Sequence, residues 1–435
     1  GTYIAGIPFS GGNKVKFELQ NNGFSPISNV NFASAVSLQN GGASIGIKGG
    51  ENESISLQAG SKTTLSYTLT GTPEEGVLMA NFNHLGLTAD QQIQVGLGSA
   101  SVANKDNYTV SMYYQPTNTT IQGKINNGAE KLTIKIPYTG GKGSYNAVNV
   151  NNITTAPGQN GDVNNLSLSI PAGNFGVTGE LEATITVGGS DQEYLVKQMA
   201  PGEQYVIATF PIDMNGTRYD VVLKGIGGIP DKKFGVKTNG KLEHQFIYIP
   251  ITGPDGRTWL NNNLGADYAN VNSPHFNPTQ QATSKTDYKA YGSLFQWGRE
   301  ANGHELVDWT SSTSGRVVHS NLSWSRDMSS SLTTYHDPCP NGYHTPSKSE
   351  WDQLLSVVGS GNSNMWKERK LNLPAAGYRN STNGSQFNSS GSNGYFWSSA
   401  QNGSNNAWEL FFSSSGSYMS NIDRSYGQSV RCLKD

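Results

Sequence analysis

The sequence predicts a mostly β protein whose C-terminal part is an α+β domain. Runs that alternate apolar and polar residues, separated by Gly- and Asn-rich turns, fill the first half of the chain. Short sequences recur within that half at offsets of about 110–130 residues, which indicates a tandem repeat. A capped helix with one apolar stripe follows in the last third. A chain of 435 residues is too long for one ordinary core, so these features fit three domains.

The first predicted domain is a β-sandwich module over residues 1–116. Val15, Phe17 and Leu19 alternate with charged residues, which is the pattern of a half-buried strand. Leu65 and Tyr67 alternate with Ser and Thr in the same way. No segment of this module keeps a helical period, so we expect strands and turns throughout.

An internal repeat predicts a second β-sandwich module over residues 117–240. Four matches occur in the same order in both halves of the repeat. They pair Ile7–Gly12 with Ile136–Gly141, Ser56–Gly60 with Ser169–Gly173, Leu65–Thr70 with Leu181–Thr186, and Ala80–Phe82 with Ala208–Phe210. Four ordered matches favour tandem modules over chance similarity between strands.

The third predicted domain covers residues 241–435 and is of the α+β class. The turn at 253–256 predicts a hairpin that opens it. Apolar spacing from Tyr288 to Phe295 predicts its first helix. Ser347 and Glu350 have the spacing of a capping box, and Gly359 ends the helix that they begin.

Composition argues against several classes of partner. The net charge is −2 and only 14% of residues are charged, which favours neither nucleic acid nor an anionic membrane surface. No apolar run approaches the roughly 18 residues of a membrane helix. The polarity comes from Asn, Ser, Thr, Gly and Gln, as on many extracellular β-domains. Gly1 resembles a trimmed start, so we expect a leader or a lipid-anchor cysteine to have been removed.

A set of ordered motifs in the third domain resembles a known family. The motifs are Asp255–Leu260, Tyr291–Gly298, Cys339–Ser347, Leu373–Arg379, Phe396–Ser399 and Ser429–Cys432. In order and spacing they resemble the Fibrobacter-type major paralogous domain. This resemblance implies a C-type-lectin-like fold, related to that of formylglycine-generating enzymes.

Cys339 and Cys432 are the only cysteines, and they occupy positions of that family pattern. We therefore expect a disulfide bond between them. It closes a loop of about 90 residues, worth roughly 4–5 kcal/mol in the chain-entropy model. A disulfide of this kind implies an oxidising compartment.

Two further resemblances concern other parts of the chain. The first two modules resemble the immunoglobulin-like or fimbrillin-like repeats of Bacteroidetes surface proteins. The segment 380–426 resembles the variable region of proteins that retroelements diversify in gut Bacteroides and their phages. The first resemblance implies a surface protein, and the second implies ligand binding by a lectin-like fold.

The chain lacks the residue patterns of a catalytic or metal site. Its histidines have no metal-type spacing such as HExxH. The calcium site of C-type lectins needs several carboxylates, and after Lys370 only Glu409, Asp423 and Asp435 remain. Formylglycine-generating enzymes need a close pair of reactive cysteines, whereas the two here are far apart. We therefore expect no enzyme activity, no cofactor and no metal.

The segment 380–426 is the candidate ligand surface. It mixes aromatic residues with Asn, Ser and Gly, the chemistry of a paratope. Strand alternation predicts that Leu410 and Phe412 are buried, while Glu409 and Phe411 face outward. The residues that we expect to converge on one exposed face are Tyr395, Asn405, Asn406, Trp408, Phe411, Tyr418, Asn421, Asp423 and Tyr426.

These expectations favour a non-enzymatic adhesin or ligand-binding protein at the cell surface or on fimbriae. Its partner is an unidentified protein or carbohydrate, and its location is extracellular or the outer-membrane surface. One alternative is a structural pilus subunit that assembles with other subunits through strand edges, with the third domain as a cap. The other is an enzyme of the formylglycine-generating type, which bound copper or turnover would reveal.

Overall fold

The computed structural model describes residues 3–324 and 335–435. Antiparallel sheets dominate these residues, and the two α-helices described lie in the C-terminal part. The predicted β-rich class is therefore confirmed. Gly1, where we expected a trimmed start, lies outside the described residues. Within them, no helix is long and apolar enough to cross a membrane.

The first unit packs its sheets around a core that runs from Ala5 to Val95. Its strands are β1 (Lys14–Gln20), β2 (Ile27–Val30), β3 (Val36–Gln39), β4 (Gly46–Ile47), β5 (Ile55–Leu57), β6 (Lys62–Thr70), β7 (Gly76–His84) and β8 (Leu87–Val95). They pair in the orders β1-β6-β4, β2-β5 and β3-β7-β8. Val15, Leu65 and Tyr67 are fully buried, as the alternation of both strands predicts.

The second unit has a separate core that runs from Ile125 to Leu223. Its strands are β9 (Ser99–Val102), β10 (Asp106–Val110), β11 (Met112–Tyr114), β12 (Thr119–Ile121), β13 (Lys124–Asn126), β14 (Thr133–Lys142), β15 (Ser144–Tyr145), β16 (Val148–Thr154), β17 (Asn165–Ile170), β18 (Gly173–Asn174), β19 (Thr178–Val187), β20 (Glu193–Leu195), β21 (Gln204–Met214) and β22 (Thr217–Ile226). The main sheet has the order β16-β17-β19-β14-β9, and β10-β22-β21 forms another. Short 3₁₀ helices lie at Gln115–Thr117 and Gln159–Gly161.

Strand pairing divides the first two units at a different place from the sequence analysis. Residues 99–110 were assigned to the first module, yet β9 pairs with β14 and β10 pairs in parallel with β22. Both partners belong to the second unit. The junction in the structure therefore lies near Gly98 rather than after residue 116.

The two units share a local detail that supports the repeat. Strand pair β2–β5 and strand pair β16–β17 each contain a bulge. In each bulge an Asn has a left-handed backbone, at φ 57° for both Asn29 and Asn152. Its N–H donates to a serine hydroxyl on the partner strand, Ser56 at 3.0 Å and Ser167 at 3.2 Å. Two unrelated sandwiches have no reason to repeat this arrangement.

One of the sequence matches does not correspond in space. Ile136–Gly141 lies inside β14, whereas Ile7–Gly12 precedes β1 as a turn. The residue of β1 equivalent to Ile136 is Phe17, because they pair with the equivalent leucines Leu181 and Leu65. The similarity of these two sequences therefore does not reflect equivalent positions: one is a turn in the first unit and the other is a strand in the second.

The C-terminal unit combines small sheets with two helices. Its strands are β23 (Ile229–Pro230), β24 (Lys237–Thr238), β25 (Lys241–Leu242), β26 (Ile247–Tyr248), β27 (Pro250–Thr252), β28 (Thr258–Leu260), β29 (Phe295–Gln296), β30 (Val307–Trp309), β31 (Gly315–Val317), β32 (Tyr343–His344), β33 (Tyr378–Arg379), β34 (Phe387–Asn388), β35 (Asn393–Asn402), β36 (Asn406–Ser413), β37 (Ser417–Asp423), β38 (Gly427–Gln428) and β39 (Leu433–Lys434). The helices are α1 (Lys348–Val358) and α2 (Asn364–Lys367), with 3₁₀ turns at Asp267–Ala269 and Tyr288–Ala290. Its core also includes Ile229 and Tyr114, so it draws on residues before the predicted boundary at 241.

Helix α1 forms where the capping box predicted it. The Ser347 hydroxyl accepts from the Glu350 N–H, and the Glu350 carboxylate accepts from the Ser347 N–H. Trp351, Leu354 and Leu355 are buried. The helix predicted from Tyr288 to Phe295 is wrong: a 3₁₀ turn ends at Ala290 and strand β29 begins at Phe295.

The predicted disulfide between Cys339 and Cys432 is confirmed. Both sulfur-bearing residues are buried in the C-terminal core. Next to Cys432, β39 pairs with β28 and with β32. The bond therefore joins the turn that precedes α1 to the sheet formed by the start and the end of this unit.

Candidate functional site

Five aromatic rings form a continuous row on the sheet β35-β36-β37 and the adjoining residues. We call Tyr426, Tyr378, Tyr395, Phe411 and Tyr418 the aromatic row. Neighbouring ring centroids in that order are 5.4, 5.1, 5.2 and 4.9 Å apart. These distances are typical of interacting aromatic pairs. The row is partly exposed, and Tyr418 at its end is 50% exposed.

Strand register explains why the row forms. Tyr395 lies opposite Phe411, and Phe411 lies opposite Tyr418, on three adjacent antiparallel strands. Side chains directly opposite each other point to the same face of a sheet. Leu410 and Phe412 point to the other face and are fully buried, as alternation predicts.

The structure brings four of the nine predicted site residues into this row. They are Tyr395, Phe411, Tyr418 and Tyr426. Tyr418 lies in strand β37, which ends at Asp423, and Tyr426 follows that strand. Tyr378 was not predicted as a site residue, although it lies in the Leu373–Arg379 motif that the sequence analysis singled out.

The prediction that all nine residues share one face is wrong. Trp408 and Asn421 pair with each other on the face that carries Leu410, and Asn406 and Asp423 pair there too. The Trp408 ring lies 4.7 Å from the ammonium of Lys348, the first residue of α1. These four residues therefore border the helix side of the sheet. The reason is strand parity, which separates Trp408 from Phe411.

The polar members on that side bind one another or the adjacent turn. The Asn406 amide donates to the Asn421 side-chain oxygen at 3.0 Å. The Asp423 carboxylate accepts from the N–H and the hydroxyl of Ser425. Asn405 is exposed in the turn before β36, and its carbonyl accepts from the Arg424 N–H. Their local role is to shape the turns around the sheet.

Glu409 is not exposed as predicted but is 3% exposed. Glu409 is on the same face of the sheet as Phe411. That face is buried at Glu409, which lies opposite the buried Trp397 on β35. The Gln428 amide donates to its carboxylate. Burial raises the pKa of Glu409 from 4.5 to about 7. A titratable carboxyl therefore lies close to the aromatic row: the pKa of Tyr378 is raised mainly by burial, and Glu409 adds a smaller effect in the same direction.

A second polar cluster, which the sequence analysis missed, lies deeper in the unit. Glu305 is fully buried and binds His244 at 2.6 Å and His304 at 3.1 Å. Hydrogen bonds from the two histidines hold the pKa of Glu305 well below its usual range, although burial opposes this. The sequence gave no signal for this cluster, because His244 lies 61 residues before Glu305 and only the fold brings them together.

A cleft of about 920 Å³ lies elsewhere in the C-terminal unit, beside the β30–β31 hairpin. Its lining includes Glu243, which binds His319 at 2.6 Å, together with Asp267 and Trp309. Within residues 3–324 and 335–435, no group of three or more His, Cys, Asp or Glu side chains is arranged to hold a metal ion. The cleft is therefore polar but offers no such cluster.

Comparison with known proteins adds one match. A family model described as a domain of unknown function, DUF8237, matches residues 361–433. The comparison with curated proteins found no match. The matched region runs from just before α2 into β39, so residues 361–433, which contain the whole aromatic row, are similar to that domain family.

Proposed function

We propose that the chain is a non-enzymatic, extracellular ligand-binding protein in which two β-sandwich modules present a C-terminal, C-type-lectin-like binding domain. The observation that carries this proposal is the aromatic row. Its five rings contact one another and remain partly open to solvent. A protein that only needed these rings for its core would bury them.

The physical argument rests on what such rings gain from a ligand. Covering one large aromatic side chain is worth about 1.5–3 kcal/mol. Tyr and Phe lose little conformational entropy on binding, and Tyr adds a hydroxyl group. Because ring-to-ring packing already holds the row in place, binding orders few groups. Ser414 and Ser415 are exposed in the turn between β36 and β37 and add small polar groups near Tyr418.

The class of ligand that we propose is a protein or carbohydrate on a cell surface. The disulfide supports an oxidising, extracellular compartment. The formylglycine-enzyme alternative gains no support, because both cysteines are joined in a buried bond. The resemblance in the C-terminal motifs supports the lectin-like part of the proposal.

The test is a binding screen with variants on the two faces of the sheet. Purified chain is applied to an array of immobilised glycans and to an array of cell-surface proteins. We expect the Phe411→Ala/Tyr418→Ala variant to lose at least about tenfold in affinity for any probe that the wild type binds, since two rings are removed. Its melting temperature should fall only modestly, because both rings are partly exposed.

Two variants serve as matched controls. Trp408→Ala removes a larger ring from the opposite face of the same strands, and Tyr113→Ala removes a 42% exposed ring from β11. Both should keep binding. The proposal fails if the double variant binds as the wild type does, or if Trp408→Ala alone abolishes binding.

One observation favours the structural-subunit alternative. In the second unit, β22 is covered by the parallel strand β10, whereas the equivalent strand of the first unit, β8, is an edge strand in the described part of the chain. An open edge of this kind can accept a strand from another subunit.

A further inference from the structure

Lys285 is an unusual lysine because its whole side chain is buried. It lies in the turn before the 3₁₀ helix at Tyr288 and is only 4% exposed. Lysines normally bury their aliphatic stem while the ammonium stays in water. Lys285 instead lines the inner part of an open cleft of about 350 Å³, together with Thr283, Trp366, Arg369 and Asn372.

The ammonium of Lys285 is poorly compensated. Its nitrogen donates to the Glu368 carbonyl at 3.3 Å and to the Asn372 side-chain oxygen at 3.4 Å, both long for hydrogen bonds. It lies 5.6 Å from the centre of the Phe412 ring. No carboxylate forms an ion pair with it in residues 3–324 and 335–435.

This environment favours the neutral amine. Burial lowers the pKa of Lys285 to about 7, and the nearby guanidinium groups of Arg369 and Arg431 act in the same direction. Glu368 opposes them but only in part. An unprotonated lysine is the form that attacks carbonyl carbons.

The same cleft carries a cation that is free to bind a ligand. Arg369 is exposed at the rim and makes one long hydrogen bond, at 3.4 Å, to the Asn372 oxygen. It has no carboxylate partner in the described part of the chain. Hydroxyl groups of Thr283 and Thr286 line the same opening. An anionic group is the ligand chemistry that this rim would recognise.

We propose that Lys285 is a covalent capture site for an aldehyde that carries an anionic group, with Arg369 binding the anion. The Lys285 nitrogen attacks the aldehyde carbon to give a carbinolamine. Loss of water then forms the carbon–nitrogen double bond of an imine, with no change in oxidation state. Water reverses the step, so the capture is reversible and needs no co-reactant.

The test uses pyridoxal 5′-phosphate as the probe, because it holds an aldehyde and a phosphate in one molecule. The full chain is incubated with it at pH 7, reduced with borohydride to fix the imine, and mapped by peptide mass spectrometry. We expect Lys285 to be labelled at least about tenfold faster than the exposed lysines, because an amine must lose its proton before it attacks an aldehyde. Those lysines are internal standards in the same sample.

Variants then separate capture from simple exposure. Arg369→Ala should slow labelling of Lys285 by pyridoxal phosphate about tenfold, because the anion loses its partner. Labelling by benzaldehyde, which has no anionic group, should slow far less, since only the effect of Arg369 on the pKa of Lys285 is then lost. Lys285→Met should remove that label while the other lysines keep theirs. If the methionine variant does not fold, the wild-type map and the arginine variant still decide. The proposal is overturned if Lys285 labels no faster than exposed lysines, or if Arg369→Ala has no effect on either probe.

Discussion

At the scale of single residues, alternation identifies the face of a strand but not whether that face meets water. Phe411 and Glu409 share a face, as the sequence indicated. Phe411 is half-buried in the aromatic row, whereas Glu409 is buried opposite Trp397 and accepts a hydrogen bond from the Gln428 amide. Burial of the same face changes along one strand because the neighbouring segments cover only part of it. This information lies in tertiary packing, which a local pattern does not contain.

The buried carboxyl of Glu409 makes stability depend on pH in a defined direction. Its folded pKa is raised from 4.5 to about 7, so the folded chain binds a proton more tightly than the unfolded chain. Stability is therefore lost as pH rises from about 4.5 to about 7, and levels off above that. The full effect is on the order of 3 kcal/mol. Glu409→Gln should remove it, because the amide stays neutral and still accepts a hydrogen bond.

The measurement is urea unfolding of the wild type and Glu409→Gln at several pH values between 4 and 8.5. We expect the variant to gain stability relative to the wild type as pH rises, with the difference reaching its maximum above pH 7. Glu53→Gln, a change at an exposed carboxylate, is the control and should show no such trend. A constant difference across the pH range would mean that Glu409 does not titrate in this window.

At the scale of elements, local signals predicted one helix and failed for another. Ser347 and Glu350 form α1 because their bonds lie within four residues of each other. The apolar spacing near Tyr291 and Leu294 looked helical, and both residues are indeed buried. However, Gly292 between them has φ +75°, which a right-handed helix cannot contain. The apolar spacing there correctly indicated which residues are buried, but it did not indicate the backbone conformation.

The capping box gives a direct prediction at this scale. Ser347→Ala removes the hydroxyl that accepts from the Glu350 N–H and should lower the free energy of unfolding by about 1 kcal/mol. Ser356→Ala changes an exposed serine in the same helix and should be neutral or slightly stabilising, because alanine favours helices. Chemical denaturation of both variants measures their free energies of unfolding. Equal values for the two variants would mean that the cap contributes nothing.

At the scale of the whole molecule, the sequence indicated the number and kind of units better than their limits. The order of β-rich repeats and a disulfide-closed C-terminal unit followed from the motifs. The assignment of β9 and β10 to the second unit did not, because which sheet an isolated strand joins is decided by long-range pairing. Tyr114 joins the C-terminal core for the same reason. The candidate site shows the same limit. The sequence identified which kinds of residue form it, but the strand register places those residues on two different faces of the sheet.

The unequal edges of the two repeated units lead to the last prediction. Strand β10 covers β22 from Asp106 to Val110, and the bridge from Ile4 to Gly96 is the start of the same parallel arrangement in the first unit. Beyond that bridge, no strand in the described part of the chain pairs with the outer side of β8, although the Lys16 N–H of β1 donates to the Gln91 side chain of β8. Leu87 and Ala89 are exposed there. A strand with free backbone groups and apolar side chains is a template for pairing.

If the chain acts as a structural subunit, this edge should drive self-association. Sedimentation velocity over a range of concentrations should then show dimers or larger species for the wild type. Leu87→Lys/Ala89→Lys should shift them to monomer, because charged side chains protect edges from pairing. Val77→Lys is the matched control, since it adds a lysine at an exposed position of the neighbouring strand β7, opposite Gln94 and away from the exposed end of β8. A wild type that stays monomeric would remove the support for assembly through β8 and leave ligand binding at the aromatic row as the function that the exposed surface favours.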